Sequence, residues 1–163
     1  ENIIEECYNL GEITINVSEN GNQTFEVQVG GIVGNTTSET LNCYNRGNIE
    51  VNTNEGFMYI AGISGTGSGN IRNCYNVGNI VCNSKGNLFI GGIRFLPNNT
   101  NITNCYYIIQ DNFNNTGEEK KIIKKEDEMK QTSFVDLLNS GNDESIWKYD
   151  KNKNDGYPIL NWQ

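Results

Sequence analysis

Histidine is missing altogether, and with it the side chain that most often serves as general base or metal ligand near neutral pH. Arginine is scarce: Arg46, Arg72 and Arg94 are the only three. Acidic residues outnumber basic ones by 20 to 12, giving a net charge of −8 and a pI near 4.5. A chain this acidic has no basic face for a phosphate backbone, so nucleic acid is excluded as a partner. No run of 18 apolar residues occurs, so no segment reads as a membrane-spanning helix. The five cysteines contain no Cys-x-x-Cys pair, which argues against a zinc site. Nor does a glycine-rich loop open a helix. The stretch GTGSGN, at 65–70, leads towards a strand and reads as a flexible turn.

What is plentiful is asparagine, 29 residues, alongside 18 glycines. Both tolerate left-handed backbone, so tight turns are expected in place of long helices. The segment LNCYNRGNIEV at 41–51 returns as RNCYNVGNIVC at 72–82. Related copies at 4–15 and 102–113 fall into register with copies at 40–51 and 71–82, so Cys7, Cys43, Cys74 and Cys105 are spaced by 36, 31 and 31 residues. A second motif, VQVGGIVG at 27–34, MYIAGISG at 58–65 and LFIGGIRF at 88–95, repeats with the same period. Two independent anchors on one period of about 31 residues indicate stacked repeats.

The apolar columns lie two residues apart. They fall at Ile13/Ile15, Ile49/Val51 and Ile80/Cys82, and again at Val27/Val29, Met58/Ile60 and Leu88/Ile90. Period two means strands. Two or three short strands per copy cannot bury an apolar face alone, whereas layers stacked about 4.8 Å apart can. The expected fold is all-β, a β-solenoid of the right-handed parallel β-helix kind over residues 1–112. Residues 113–163 form a C-terminal capping segment, with a short helix at about 126–140 ending at Gly141. Trp147, Tyr157, Ile159, Leu160 and Trp162 are expected as lids over an open end of the stack. Asp150, Asn152, Asn154 and Asp155 read as a solvated turn, since they lack the glycine and terminal glutamate of an EF-hand loop.

Repetition also decides how the cysteines read. A reactive thiol is needed once, whereas Cys7, Cys43, Cys74 and Cys105 recur in every copy, and Cys82 stands where other copies carry Ile15 or Val51. All five are therefore expected as interior thiols, the first four forming a ladder. Tyr8, Tyr44, Tyr75 and Tyr106 are expected to stack as a second ladder; the alternative is an exposed aromatic strip that stacks on sugar rings. The asparagine column Asn9, Asn45 and Asn76 is expected to hydrogen-bond between layers.

The CYNxGxI and GGIxG patterns together resemble the GLUG repeat of bacterial cell-surface and secreted proteins, including repeat regions of immunoglobulin A proteases and of adhesin-like proteins. The resemblance spans Ile4 to Asp111, and the fourth copy departs from it where CYYIIQ loses the Asn-x-Gly turn. It implies an extracellular or surface location in bacteria, a role in adhesion or domain presentation, and no catalytic residues. We read the chain as a segment of a longer protein whose neighbouring repeats or domains are its partners, together with a host or surface ligand, protein or glycan. No catalytic, cofactor or metal residue is assigned. Candidate contacts lie in the long first loop, 17–26, at Glu19, Asn20, Asn22 and Gln23, because this loop alone lengthens the period. The competing readings are a polysaccharide-degrading β-helix enzyme, which needs clustered acids, and a purely mechanical spacer.

Overall fold

The computed structural model describes residues 2–18, 25–95, 102–113 and 122–163. The architecture is mostly β, and its strands are arranged in tiers. The first tier comprises β1 (Ile3–Glu5), β2 (Tyr8–Asn9), β3 (Ile13–Asn16), β4 (Glu26–Gly30) and β5 (Val33–Thr36). The second repeats the order with β6 (Glu39–Leu41), β7 (Tyr44–Asn45), β8 (Ile49–Asn52), β9 (Phe57–Ala61) and β10 (Ser64–Gly67). The third holds β11 (Ile71–Arg72), β12 (Tyr75–Asn76), β13 (Ile80–Asn83) and β14 (Asn87–Gly91), and Arg94 makes a bridge to Ser64 in the fifth position. Of the fourth, β15 (Ile102–Thr103) and β16 (Tyr106–Tyr107) are described.

Every strand pairs in parallel with its counterpart one tier away, so the sheets run β1-β6-β11-β15, β2-β7-β12-β16, β3-β8-β13, β4-β9-β14 and β5-β10. Register follows the sequence motif residue for residue: Tyr8↔Tyr44, Tyr75↔Tyr44 and Tyr75↔Tyr106 lie in one column, and Ile13↔Ile49 and Ile80↔Ile49 in another. Five strand segments per tier exceed the two or three that apolar alternation marks. One of the extra ones, Ser64–Gly67, overlaps the stretch GTGSGN expected as a flexible turn and carries no apolar side chain. It forms because the neighbouring tier offers backbone partners whatever the side chains are.

The interior splits into two apolar clusters. One holds Val29, Ile49, Val51, Met58, Ile60, Ile80 and Ile90. The other holds Ile63, Ile71 and Ile93 with Cys43, Cys74, Cys105 and Tyr107. In β8 the alternation is plain: Ile49 and Val51 are fully buried, while Glu50 and Asn52 face partly outward. Each isoleucine withdrawn from water in this way contributes about 1.5–3 kcal/mol.

The C-terminal segment forms α1 (Glu126–Met129), α2 (Thr132–Asn139) and a small antiparallel pair, β17 (Trp147–Lys148) with β18 (Ile159–Leu160). Gly141 adopts φ 81 just past α2, a conformation that glycine enters without strain. This segment does not sit as a lid on the end of the stack. Met129, Phe134, Leu138, Trp147, Tyr157 and Leu160 pack on the tyrosine column along its flank. The flank wins because each tier leaves one tyrosine there, making a long apolar strip with a hydroxyl edge, which an aromatic-rich segment covers better than the small cross-section at an end. Closure of the last tier falls instead to Phe113, Ile122 and Ile123, which pack against the interior clusters.

Candidate interaction surface

The repeated motif builds a corner. Asn42, Asn73 and Asn104, each just before a cysteine, have φ of 52, 55 and 51, and Glu6 holds the same place at 49. Asparagine enters this left-handed region at low cost because its short amide can bond locally. In the chain this column is marked only by the Asn-Cys pair, which recurs in three of the four copies. The corner turns the next residue inward, and Cys43, Cys74 and Cys105 are fully buried.

These thiols do more than fill space. Cys43 Sγ accepts the Cys7 N–H at 3.4 Å and donates to the Leu41 carbonyl at 3.0 Å. Cys74 Sγ likewise accepts the Cys43 N–H at 3.3 Å and donates to the Arg72 carbonyl at 3.2 Å. Each sulfur thus satisfies a backbone donor that the sharp corner leaves unpaired by the sheet. All five cysteines are free thiols. Burial pushes the Cys74 thiol well above its ordinary value, the opposite of what a nucleophile needs. Two thiols correct the expectation of a wholly interior set: Cys7 is exposed, since no described strand lies beyond β1 and β2, and Cys82 is half-buried. Cys82 packs beside the apolar cluster as Ile15 does, and burial raises its thiol to about 11.

The tyrosines stack as expected over three tiers. Ring centroids of Tyr8 and Tyr44 lie 5.3 Å apart and those of Tyr44 and Tyr75 lie 5.0 Å apart, nearly parallel. Tyr106 instead meets Phe134 edge-on at 5.2 Å. Beside them runs an amide ladder, Asn9 Nδ2 to Asn45 Oδ1 at 2.9 Å and Asn45 Nδ2 to Asn76 Oδ1 at 2.8 Å. With Tyr107 in the same column, it explains the glycine at the fifth position of the second motif. A Cβ on Gly31 or Gly62 would overlap the side chain of Asn45 or Asn76, and at Gly92 it would overlap the Tyr107 ring.

The C-terminal segment reads both outer columns. Trp147 Nε1 donates to Asn42 Oδ1 at 3.2 Å, and Asn142 links Asn42 and Asn73 through bonds of 3.0 and 2.9 Å. Asn104 Nδ2 donates to the Ser140 carbonyl at 3.0 Å. Tyr75 Oη donates to the Pro158 carbonyl at 2.6 Å, and burial holds its hydroxyl well above the ordinary tyrosine value. The 150–155 turn belongs to the same contact, because Arg46 pairs with Asp155 and donates to Asn154 Oδ1 at 2.8 Å. The tyrosine strip is therefore covered by the chain itself except at Tyr8.

Among the described residues, two open surfaces adjoin the tyrosine and asparagine columns. A cleft of about 360 Å³ lies where the strip emerges, between Tyr8 and Leu10 on one side and Trp162 and Lys153 on the other, with Tyr8 and Trp162 rings 5.8 Å apart. A shallower groove of about 420 Å³ follows the outward ladder Asn16, Asn52 and Asn83, whose amides are joined at 3.0 and 2.7 Å. It runs beside Val17 and Ser18, where the long first loop departs. The loop candidates Glu19, Asn20, Asn22 and Gln23 lie outside the described residues. Among the described residues, no three acidic or cysteine side chains converge on one point. No family model, no curated protein and no solved structure matches this chain.

Proposed function

We propose that the chain is a non-enzymatic repeat segment of a bacterial cell-surface or secreted protein, folded as a right-handed parallel β-helix of GLUG-type repeats and acting in adhesion or presentation. One observation carries this reading. The side chains that recur with the motif, cysteine, tyrosine and asparagine, are spent on joining one tier to the next or to the C-terminal segment. A sequence that repeats its polar groups for cohesion is building a rigid rod, and a rod offers ligands its loops and grooves. The bacterial and surface assignments rest on the resemblance of CYNxGxI and GGIxG to that repeat class.

A glycan array and a pull-down from surface extracts, both with the whole chain, test the reading. A retained ligand whose binding weakens when residues 19–24 are shortened to a glycine pair is the expected result. Depolymerisation of an acidic polysaccharide by the purified chain would overturn it. Silence in both assays would make the chain a mechanical spacer.

A further inference from the structure

The three arginines are paired in inverse order to their burial. The Arg46 and Arg72 side chains keep 24 and 46% of their surface in water, and each has a carboxylate beside it, Asp155 for Arg46 and Glu39, at 3.0 Å, for Arg72. Arg94 is fully buried, and among the described residues no carboxylate lies within ion-pair distance of it. It stands in the fifth column of the stack, bridged to Ser64, which in turn pairs with Val33. The first two tiers thus hold neutral side chains where the third holds a cation.

One nitrogen of the guanidinium is accounted for: Nη1 donates to the Gly67 carbonyl at 3.2 Å. Nε and Nη2 are buried, and among the described residues neither reaches an acceptor. Burial pulls the group below its ordinary range, with the Cys105 sulfur opposing. Arginine does not answer burial by giving up its proton, so the charge stays. A buried ion without a counter-charge is among the least favourable features a fold can carry. The two atoms left over also act together. Nε–H and the Nη2–H beside it lie on one edge of the guanidinium plane and point the same way, which matches two oxygens of a single oxyanion. The bond to Gly67 fixes that plane in advance.

We propose that Arg94 is the centre of an interior oxyanion site, in which one carboxylate, sulfate or phosphate group lies side-on against Nε and Nη2. The anion is a small one, because no exposed part of the guanidinium remains for a polymer to reach, and it is taken up as the third tier closes during folding. A chain of net charge −8 gathers no anions by long-range attraction, so binding depends on the fork itself. Lysine at this position keeps the charge and loses the fork. The site lies apart from the Tyr8–Trp162 cleft and the Asn52 groove, so it stands or falls separately from the surface reading.

Nuclear magnetic resonance of the isotope-labelled whole chain reads the site directly. The chain is refolded in chloride alone, or with formate, sulfate or phosphate at matched ionic strength. With only three arginines, the Nε–H signal of Arg94 is identified as the one that survives in both Arg46→Lys and Arg72→Lys. One of the three oxyanions is expected to shift that signal saturably and to slow its hydrogen exchange by about tenfold or more. The arm that responds tells a carboxylate from a sulfate or phosphate. The same anion should raise the melting temperature by about 5–10 °C at roughly a hundredfold excess over its Kd, and Arg94→Lys should abolish the rise. An Arg94 signal indifferent to all three anions overturns the proposal, whether or not the Arg94→Lys chain folds. So does an equal rise in melting temperature in that variant, which would mark a bulk salt effect.

Discussion

The first and second tiers are written in nearly the same letters and live in different surroundings. Cys7 is exposed where Cys43 is fully buried, Tyr8 is 40% exposed where Tyr44 is buried, and an added Cβ at Gly11 would meet only an ordinary contact where Gly47 is crowded. The motif therefore does not carry its own stability. A Cys-Tyr-Asn corner becomes a cohesive element only when a tier lies on each side of it, as expected for repeats whose core is shared between neighbours.

Alanine at paired positions in the two tiers makes the contrast measurable. Ile49→Ala opens a hole in a fully buried position and should cost about 2–5 kcal/mol in chemical denaturation. Its first-tier counterpart Ile13 is only partly buried, and Ile13→Ala should cost less than half as much. Equal losses would mean that the first tier is covered in solution.

The glycine column gives a second contrast. A Cβ at Gly47 would overlap the Gly11 carbonyl and the Asn9 amide, so Gly47→Ala should destabilise by about 1–3 kcal/mol. At Gly11 the nearest atom to an added Cβ is Asn9 Oδ1 at 3.7 Å, an ordinary contact. Gly11→Ala should leave the melting temperature within about a degree or two of the parent, within the range of surface changes. A large loss at Gly11 would show that the first tier is as tightly enclosed as the second.

The smallest effect under neutral conditions is a response to alkali. Burial raises Cys74 and Tyr75 well above their ordinary values of 9.0 and 10.0, and raises Tyr157 to about 12. The unfolded chain then releases these protons first, so stability is fully present below about pH 9 and falls as pH climbs towards 12. A thermal melt series from pH 7 to 12 checks the sign. Because Tyr75 and Tyr157 lie in the contact with the C-terminal segment, that contact and its Trp147 fluorescence should respond before the first tier does. A melting temperature unchanged to pH 12 would contradict their burial.

Much of this was legible in the chain. The 31-residue period, the parallel register, the strand at Ile49–Asn52 and the stacked tyrosines follow from positions alone, because in-register copies must place like residues side by side. The helical stretch after Glu126 follows from its spacing of Met129, Phe134 and Leu138. Strands such as Ser64–Gly67 were not legible, since only the neighbouring backbone makes them strands. The side of the stack covered by Trp147 and Tyr157 was also hidden, for both an end and a flank are apolar on paper. On the candidate surface, the sequence marks the long first loop by its extra residues but is silent on the Tyr8–Trp162 cleft, whose two sides lie more than 150 residues apart.

The sequence by itself determined the layering: which residues recur, hence which must meet across tiers, and that cysteine, tyrosine and asparagine act as repeated parts. Only the tertiary structure decided what each part does. It made the sulfur of Cys43 an acceptor for a backbone donor and turned Asn42 into a left-handed corner that also anchors Trp147. The reason is physical. Periodicity specifies which residues are neighbours, whereas hydrogen-bond direction and burial depend on what lies on both sides of a tier, and no single copy of the motif contains that information.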